Sequence, residues 1–96
     1  MTVGESIRIV RTKAGLKQGD LADKAEVSQS LISLIENGRR EPTVQLVARL
    51  CEAMEVPPQL VFLMACEPPE GEERYRAVFE KLSLLMLELL RDIRPA

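Results

Sequence analysis

The chain has no histidine and no tryptophan, and its only aromatic residues are Phe62, Tyr75 and Phe79. Without histidine it lacks the commonest general base and the commonest nitrogen ligand of zinc. Its two cysteines, Cys51 and Cys66, stand apart with no CxxC spacing, which removes a thiolate metal site as well. Isolated cysteines of this kind are read as core fillers in a reducing compartment. There is no glycine-rich phosphate loop and no cluster of carboxylates at metal spacing, so no enzyme, no metal and no cofactor is expected. Few stretches alternate with period two, so no sheet is expected. The apolar run Leu84–Leu90 is too short to cross a bilayer and the N-terminus is polar, which predicts a cytoplasmic protein with no membrane partner.

Positive charge is also missing. Lys and Arg number 13 against 15 Asp and Glu, a net charge of −2. The imbalance is local: residues 1–66 carry 8 of each sign, and residues 67–96 carry 5 basic against 7 acidic. A balance like this lowers general attraction to polyanions but permits a basic edge where the first segment needs one.

What the chain does have is Leu, Ile, Val and Ala at helical spacing. Its 96 residues suffice for one domain with a modest core. Val3, Ile7, Val10 and Ala14 predict a first helix with one buried face, ended by Gly15. A second helix is predicted over Gln18–Ala25, with Leu21, Ala22 and Ala25 inward and a poor cap at Lys17. Glu26 and Val27 form a turn. Ser28 then caps a third helix running from about Gln29 to Asn37. Leu31, Ile32 and Ile35 supply its inner side, and Gln29, Ser30, Ser33 and Leu34 share the outer one. Thr43 caps a fourth helix, Val44 to about Met54, with Val44, Val47, Leu50, Cys51 and Met54 inward. Pro58 opens a fifth, reaching about Ala65.

Residues 67–71, Glu67-Pro68-Pro69-Glu70-Gly71, read as a linker closing a first domain of residues 1–66. Residues 72–94 read as one longer amphipathic helix. Tyr75, Phe79, Leu82, Met86, Leu89 and Ile93 recur at 4-3-4-3-4, a seam of the coiled-coil type. Val78, Leu84, Leu85, Leu87 and Leu90 widen that apolar surface, so the helix must be covered on several sides. A second copy of the chain is one cover, giving a dimerisation helix; packing onto its own domain is the other.

Ile7-Arg8 and Val10-Arg11 are followed by Gly15-Leu16, Gln18, Leu21-Ala22 and Val27-Ser28-Gln29-Ser30. Then come Ile32-Ser33, Ile35-Glu36-Asn37-Gly38-Arg39-Arg40 and Pro42-Thr43. In this order and spacing, Met1 to about Leu63 resembles the Cro/phage-repressor-type (XRE-like) helix-turn-helix family, over about two-thirds of the chain. The resemblance implies an all-α, five-helix, lambda-repressor-like DNA-binding domain plus the C-terminal dimerisation helix. It also implies a transcriptional regulator binding double-stranded operator DNA as a homodimer. Gln18 resembles the family's phosphate-contacting glutamine, and Asn37 with the backbone near Gly38 looks like a second phosphate clamp. Arg39 and Arg40 add charge beside that clamp. Arg11 and Glu36 resemble a structural ion pair joining the first helix to the end of the third.

Base contacts are expected from Gln29, whose amide can pair with an adenine edge, and from Ser30, Ser33 and Leu34. Leu34 either meets a thymine methyl group or folds back onto the domain. The ordinary alternatives are a solvated helix face at Gln29, Ser30 and Ser33 and an exposed loop pair at Arg39-Arg40. Glu26 and Glu55 stand where the family usually has glycine; a left-handed backbone there costs about 1 kcal/mol. A reading from another class is an antitoxin-like or other interaction module, whose apolar tail holds a protein partner.

Overall fold

The computed structural model describes residues 1–66 and, beyond them, 76–78, 80–82, 84, 85 and 88. Five helices follow in order: α1 (Val3–Lys13), α2 (Gln18–Ala25), α3 (Gln29–Glu36), α4 (Val44–Met54) and α5 (Pro58–Ala65). The described residues beyond 66 are helical too, and no strand occurs among the described residues. The protein is all-α. The linker at 67–71 and the seam residues Tyr75, Phe79, Met86, Leu89 and Ile93 lie outside the described residues.

Helix starts follow local side-chain chemistry. Thr2 Oγ1 accepts from the Glu5 N–H at 3.0 Å and the Glu5 carboxylate accepts from the Thr2 N–H at 3.4 Å, a reciprocal cap on α1. Ser28 accepts from the Leu31 N–H and Thr43 from the Leu46 N–H, each at 3.1 Å. Lys17 offers no side-chain acceptor, and Asp20 compensates: its carboxylate accepts from the Lys17 N–H at 2.9 Å.

Four helix ends share one closure. Leu16, Val27, Arg39 and Val56 donate their N–H groups back to the carbonyls of Arg11, Ala22, Leu34 and Cys51, at 2.9–3.1 Å. Each follows a residue of positive φ: Gly15, Glu26, Gly38 and Glu55. Leu16, Val27 and Val56 then tuck against the core, as an apolar residue after such a turn commonly does. Arg39 instead lies exposed.

The core joins one face of every helix. Ile7 and Val10, Leu21 and Ala22, Ile32 and Ile35, Val47, Leu50 and Met54, and Leu60 and Val61 are all buried. Complete burial of a Leu or Ile side chain contributes about 1.5–3 kcal/mol, so this cluster supplies the main driving force for folding. Helix α1 packs on α3, α4 and α5, and α2 packs on α3 and α4. Cys51 is in the core, where desolvation raises its thiol pKa to about 11, so it stays protonated and inert. Val44 departs from expectation: it is 67% exposed. It is the first residue of α4, one turn before Val47, where the apolar spacing continues but the covering helices do not.

Glu26 has φ 59° and Glu55 φ 61°, both in the left-handed region disfavoured by a Cβ. The Glu26 carboxylate meets Arg49 at 3.4 Å, but both side chains are largely exposed and the pair contributes little. Glu26→Gly is therefore expected to raise unfolding free energy by about 1 kcal/mol, read as a higher urea midpoint with an unchanged slope. A midpoint that stays put would show that the turn carries no such strain.

Candidate nucleic-acid interface

Helices α2 and α3 meet across the turn Glu26–Ser28, and their contact is close because small residues line it. A Cβ on Gly19 would stand 3.5 Å from Gln29 Oε1, and Ala22 is buried beneath. Gln18, Gln29, Ser30, Ser33 and Leu34 together line an open depression of about 500 Å³. Gln29 and Ser30 are exposed, Ser33 is half-buried, and Leu34 is 39% exposed instead of folded away. The four expected base-contacting residues thus share one outward surface, with Gln18 at its edge.

The depression has internal order. Asn37 Nδ2 donates to Ser33 Oγ at 3.3 Å, which leaves the serine hydroxyl hydrogen available to an outside acceptor. Gln18 Nε2 donates one hydrogen to Glu36 Oε1 at 3.1 Å, so its amide plane is fixed while a second N–H and Oε1 remain. The backbone around Gly38 is more occupied than the sequence suggested. The N–H groups of Asn37, Gly38 and Arg39 all go to α3 carbonyls, those of Ser33, Ile35 and Leu34. An anion at this end is therefore not held by those three N–H groups. Asn37, Arg39 and Arg40 are exposed there.

Behind the depression lies a buried charge cluster. Arg11 Nε donates to Glu36 Oε2 at 2.7 Å, Nη2 donates to Oε1 at 3.0 Å, and Nη1 donates to the Leu16 carbonyl at 2.8 Å. The Glu36 side chain is 2% exposed and that of Arg11 13%. A two-point guanidinium–carboxylate contact is among the stronger charge-assisted geometries. It also cancels the one acidic group of α3, so a polyanion at this surface meets no uncompensated negative charge from the helix itself. The sequence pattern signals the pair Arg11 and Glu36. It gives no sign of the Leu16 carbonyl as a third partner, because a backbone acceptor has no residue type.

The outward polar surface of α3, the close α2–α3 turn and the clamped end of α3 together define a helix-turn-helix. The chain belongs to the Cro/phage-repressor-type (XRE-like) helix-turn-helix family of transcriptional regulators, and the Helix-turn-helix family model matches residues 7–61. It is 35% identical over 72 residues to the transcriptional regulator ClgR of Mycobacterium tuberculosis, across 75% of this chain and 64% of that protein. The chain therefore spans less than two-thirds of that relative's length. The immunity repressor protein of Bacillus phage phi105 is 28% identical over 97 residues, covering 100% of this chain and 67% of the repressor. In three dimensions the chain is similar to the crystal structure of the clp gene regulator ClgR from Corynebacterium glutamicum. The TM-score is 0.64 at 26% identity, over 98% of this chain and 92% of that one.

Removing Arg11 leaves a buried carboxylate with only the Gln18 amide. Arg11→Ala is expected to lower stability by roughly 3 kcal/mol, and Glu36→Gln in the same chain should restore part of it. Thermal unfolding of the two single variants and the double variant checks this. Purely additive losses would mean that the two groups do not interact.

Proposed function

We propose that the chain is a sequence-specific DNA-binding transcriptional regulator, acting as a repressor and as a homodimer on a pseudo-palindromic operator. The observation that carries the proposal is the outward surface of α3: polar Gln29, Ser30 and Ser33 beside exposed Leu34, ending in an exposed Arg39. In this reading α3 enters the major groove. Gln29 pairs with an adenine edge, Leu34 meets a thymine methyl group, and the two serines bond to bases or phosphates. Gln18, at the start of α2 where the helix dipole favours an anion, reaches a phosphate with its second amide hydrogen. Asn37, Arg39 and Arg40 hold the phosphate on the other side. The exception among the helix closures supports this role, since three of them bury an apolar side chain where α3 turns a cation outward.

Self-association is supported by the described part of the tail. Val78, Leu82 and Leu85 follow i, i+4, i+7 spacing and are 50%, 48% and 51% exposed. One face of that helix is thus an apolar stripe left open in a single chain. A second copy covers it and sets two α3 helices about one DNA turn apart, roughly 34 Å. The same stripe is what favours the other reading, a module that holds a different protein.

Selection from random DNA tests the main claim. An enriched inverted repeat, leaning to A·T in each half, is expected; a pool with no motif overturns sequence-specific regulation. On the selected site, affinity should fall steeply with salt. Arg39→Ala should flatten the log–log slope by about one unit, while Gln29→Ala should change base preference. Light scattering of the wild-type chain should give a dimer and Leu82→Lys a monomer. A wild-type chain that is monomeric, and stays soluble only beside a co-expressed partner, would favour the interaction module.

A further inference from the structure

Gly4 lies in the first turn of α1 and is buried. Glycine there calls for a reason, since alanine is the better helix former and would stabilise an open site. The reason is a backbone contact with α3. A Cβ at Gly4 would overlap the Ile35 carbonyl oxygen and stand 2.9 Å from the Ile35 carbonyl carbon and 3.3 Å from Glu36 Cα. All three are main-chain atoms, which cannot rotate away as a side chain would. Carbon–oxygen contacts ordinarily begin at about 3.3 Å, so alanine would force the two backbones apart.

What stands at that contact is the end of α3. The Ile35 carbonyl accepts the Gly38 N–H at 3.1 Å, so the crowded atom is part of the closure that aims Asn37, Arg39 and Arg40. Seven residues along α1, two helical turns away, Arg11 grips the Glu36 carboxylate. Glu36 is thus fixed twice from one helix, at its backbone by Gly4 and at its side chain by Arg11. Arg11 alone leaves the long Glu36 side chain as a tether; the contact at Gly4 removes the slack.

We infer that Gly4 is a positioning residue for DNA recognition, setting the depth at which the end of α3 sits on α1 and thereby the aim of its base- and phosphate-contacting groups. The inference rests on the DNA-reading role proposed for α3. It predicts that Gly4→Ala lowers affinity for the selected site by at least about tenfold, the size of one well-placed base contact. Affinity for scrambled DNA, which depends on the phosphate contacts alone, should fall by less, so the specificity ratio falls. Met54→Ala is the control for lost stability, because Met54 is buried in the core on α4, which packs on α1, α2 and α5. It should lower the melting temperature and keep the ratio. Amide NMR shifts of Asn37, Gly38 and Arg39 in DNA-free protein should move in Gly4→Ala and stay in place in Met54→Ala.

If Gly4→Ala alone is partly unfolded, Gly4→Ala in a Glu55→Gly background restores a folded domain. Glu55 is left-handed at the C-terminal end of α4 and does not line the depression formed by Gln18, Gln29, Ser30, Ser33 and Leu34. Unchanged amide shifts, a ratio equal to wild type, or higher stability in Gly4→Ala would overturn the inference. A chain that stays unfolded in the second background would also overturn it, by making Gly4 a requirement of folding and not of aim. A wild-type chain that selects no DNA while the amide shifts still move would sink the DNA reading and leave the contact standing.

Discussion

The arrangement depends on one buried carboxylate. Glu36 receives two hydrogen bonds from Arg11 of α1 and one from Gln18 of α2, while it is itself the last residue of α3. A charge taken out of water costs several kcal/mol unless its partners are in place, so this group tolerates very few arrangements of the three helices. Apolar burial is non-directional and leaves related packings close in energy. The carboxylate removes that freedom where it matters, because the helices it joins are the ones whose ends face outward. Its role here is to fix geometry more than to add stability, since a well-packed apolar cluster often does the latter as well.

The helix ends show the same division between packing and function. A left-handed residue followed by a partly buried apolar one packed on the core is the economical closure, and α1, α2 and α4 all use it. Two of the left-handed positions are glutamates, so the closure is worth keeping even at a cost of about 1 kcal/mol each. Helix α3 uses the cheaper glycine at its left-handed position and gives up the apolar contact that follows. That end is held from the side instead, by the close backbone contact at Gly4 and by Arg11 on the Glu36 carboxylate. That allows Arg39 to face solvent without loosening the turn that carries it.

Much of this was legible in the sequence, and the failures have physical causes. The bounds of α2 to α5 follow from apolar spacing, Ser28, Thr43 and Pro58, because caps and periodicity are local signals. Arg11 and Glu36 were legible as opposite charges at matching positions of a known pattern. Periodicity places Val44 inward and the structure exposes it, because spacing says which side of a helix is apolar and not how far its neighbours extend. The cap at Asp20 is not legible from Lys17, because the acceptor is the third helical residue reaching back and not the residue before the helix. Gly4 gave no signal beyond being glycine in a helix: two backbones in contact leave no side-chain pattern. The occupied N–H groups at 37–39 were hidden likewise, since a closing turn uses the donors that the residue string leaves open.

The charge balance follows from the same economy. A domain with equal numbers of acidic and basic residues gains little from general attraction to a phosphate backbone. In the proposed complex, affinity then has to come from contacts that depend on aim: a glutamine, two serines, a leucine and a few phosphate-holding groups. Such contacts weaken sharply when their supports shift, which is why so much of α1 is devoted to holding the end of α3. They also give each copy a low affinity with good discrimination, and two copies on one site raise the affinity without spoiling the discrimination. In the proposed complex, the open stripe at Val78, Leu82 and Leu85 and the balanced charge of residues 1–66 are two sides of one arrangement, in which binding strength comes from pairing and sequence choice comes from geometry.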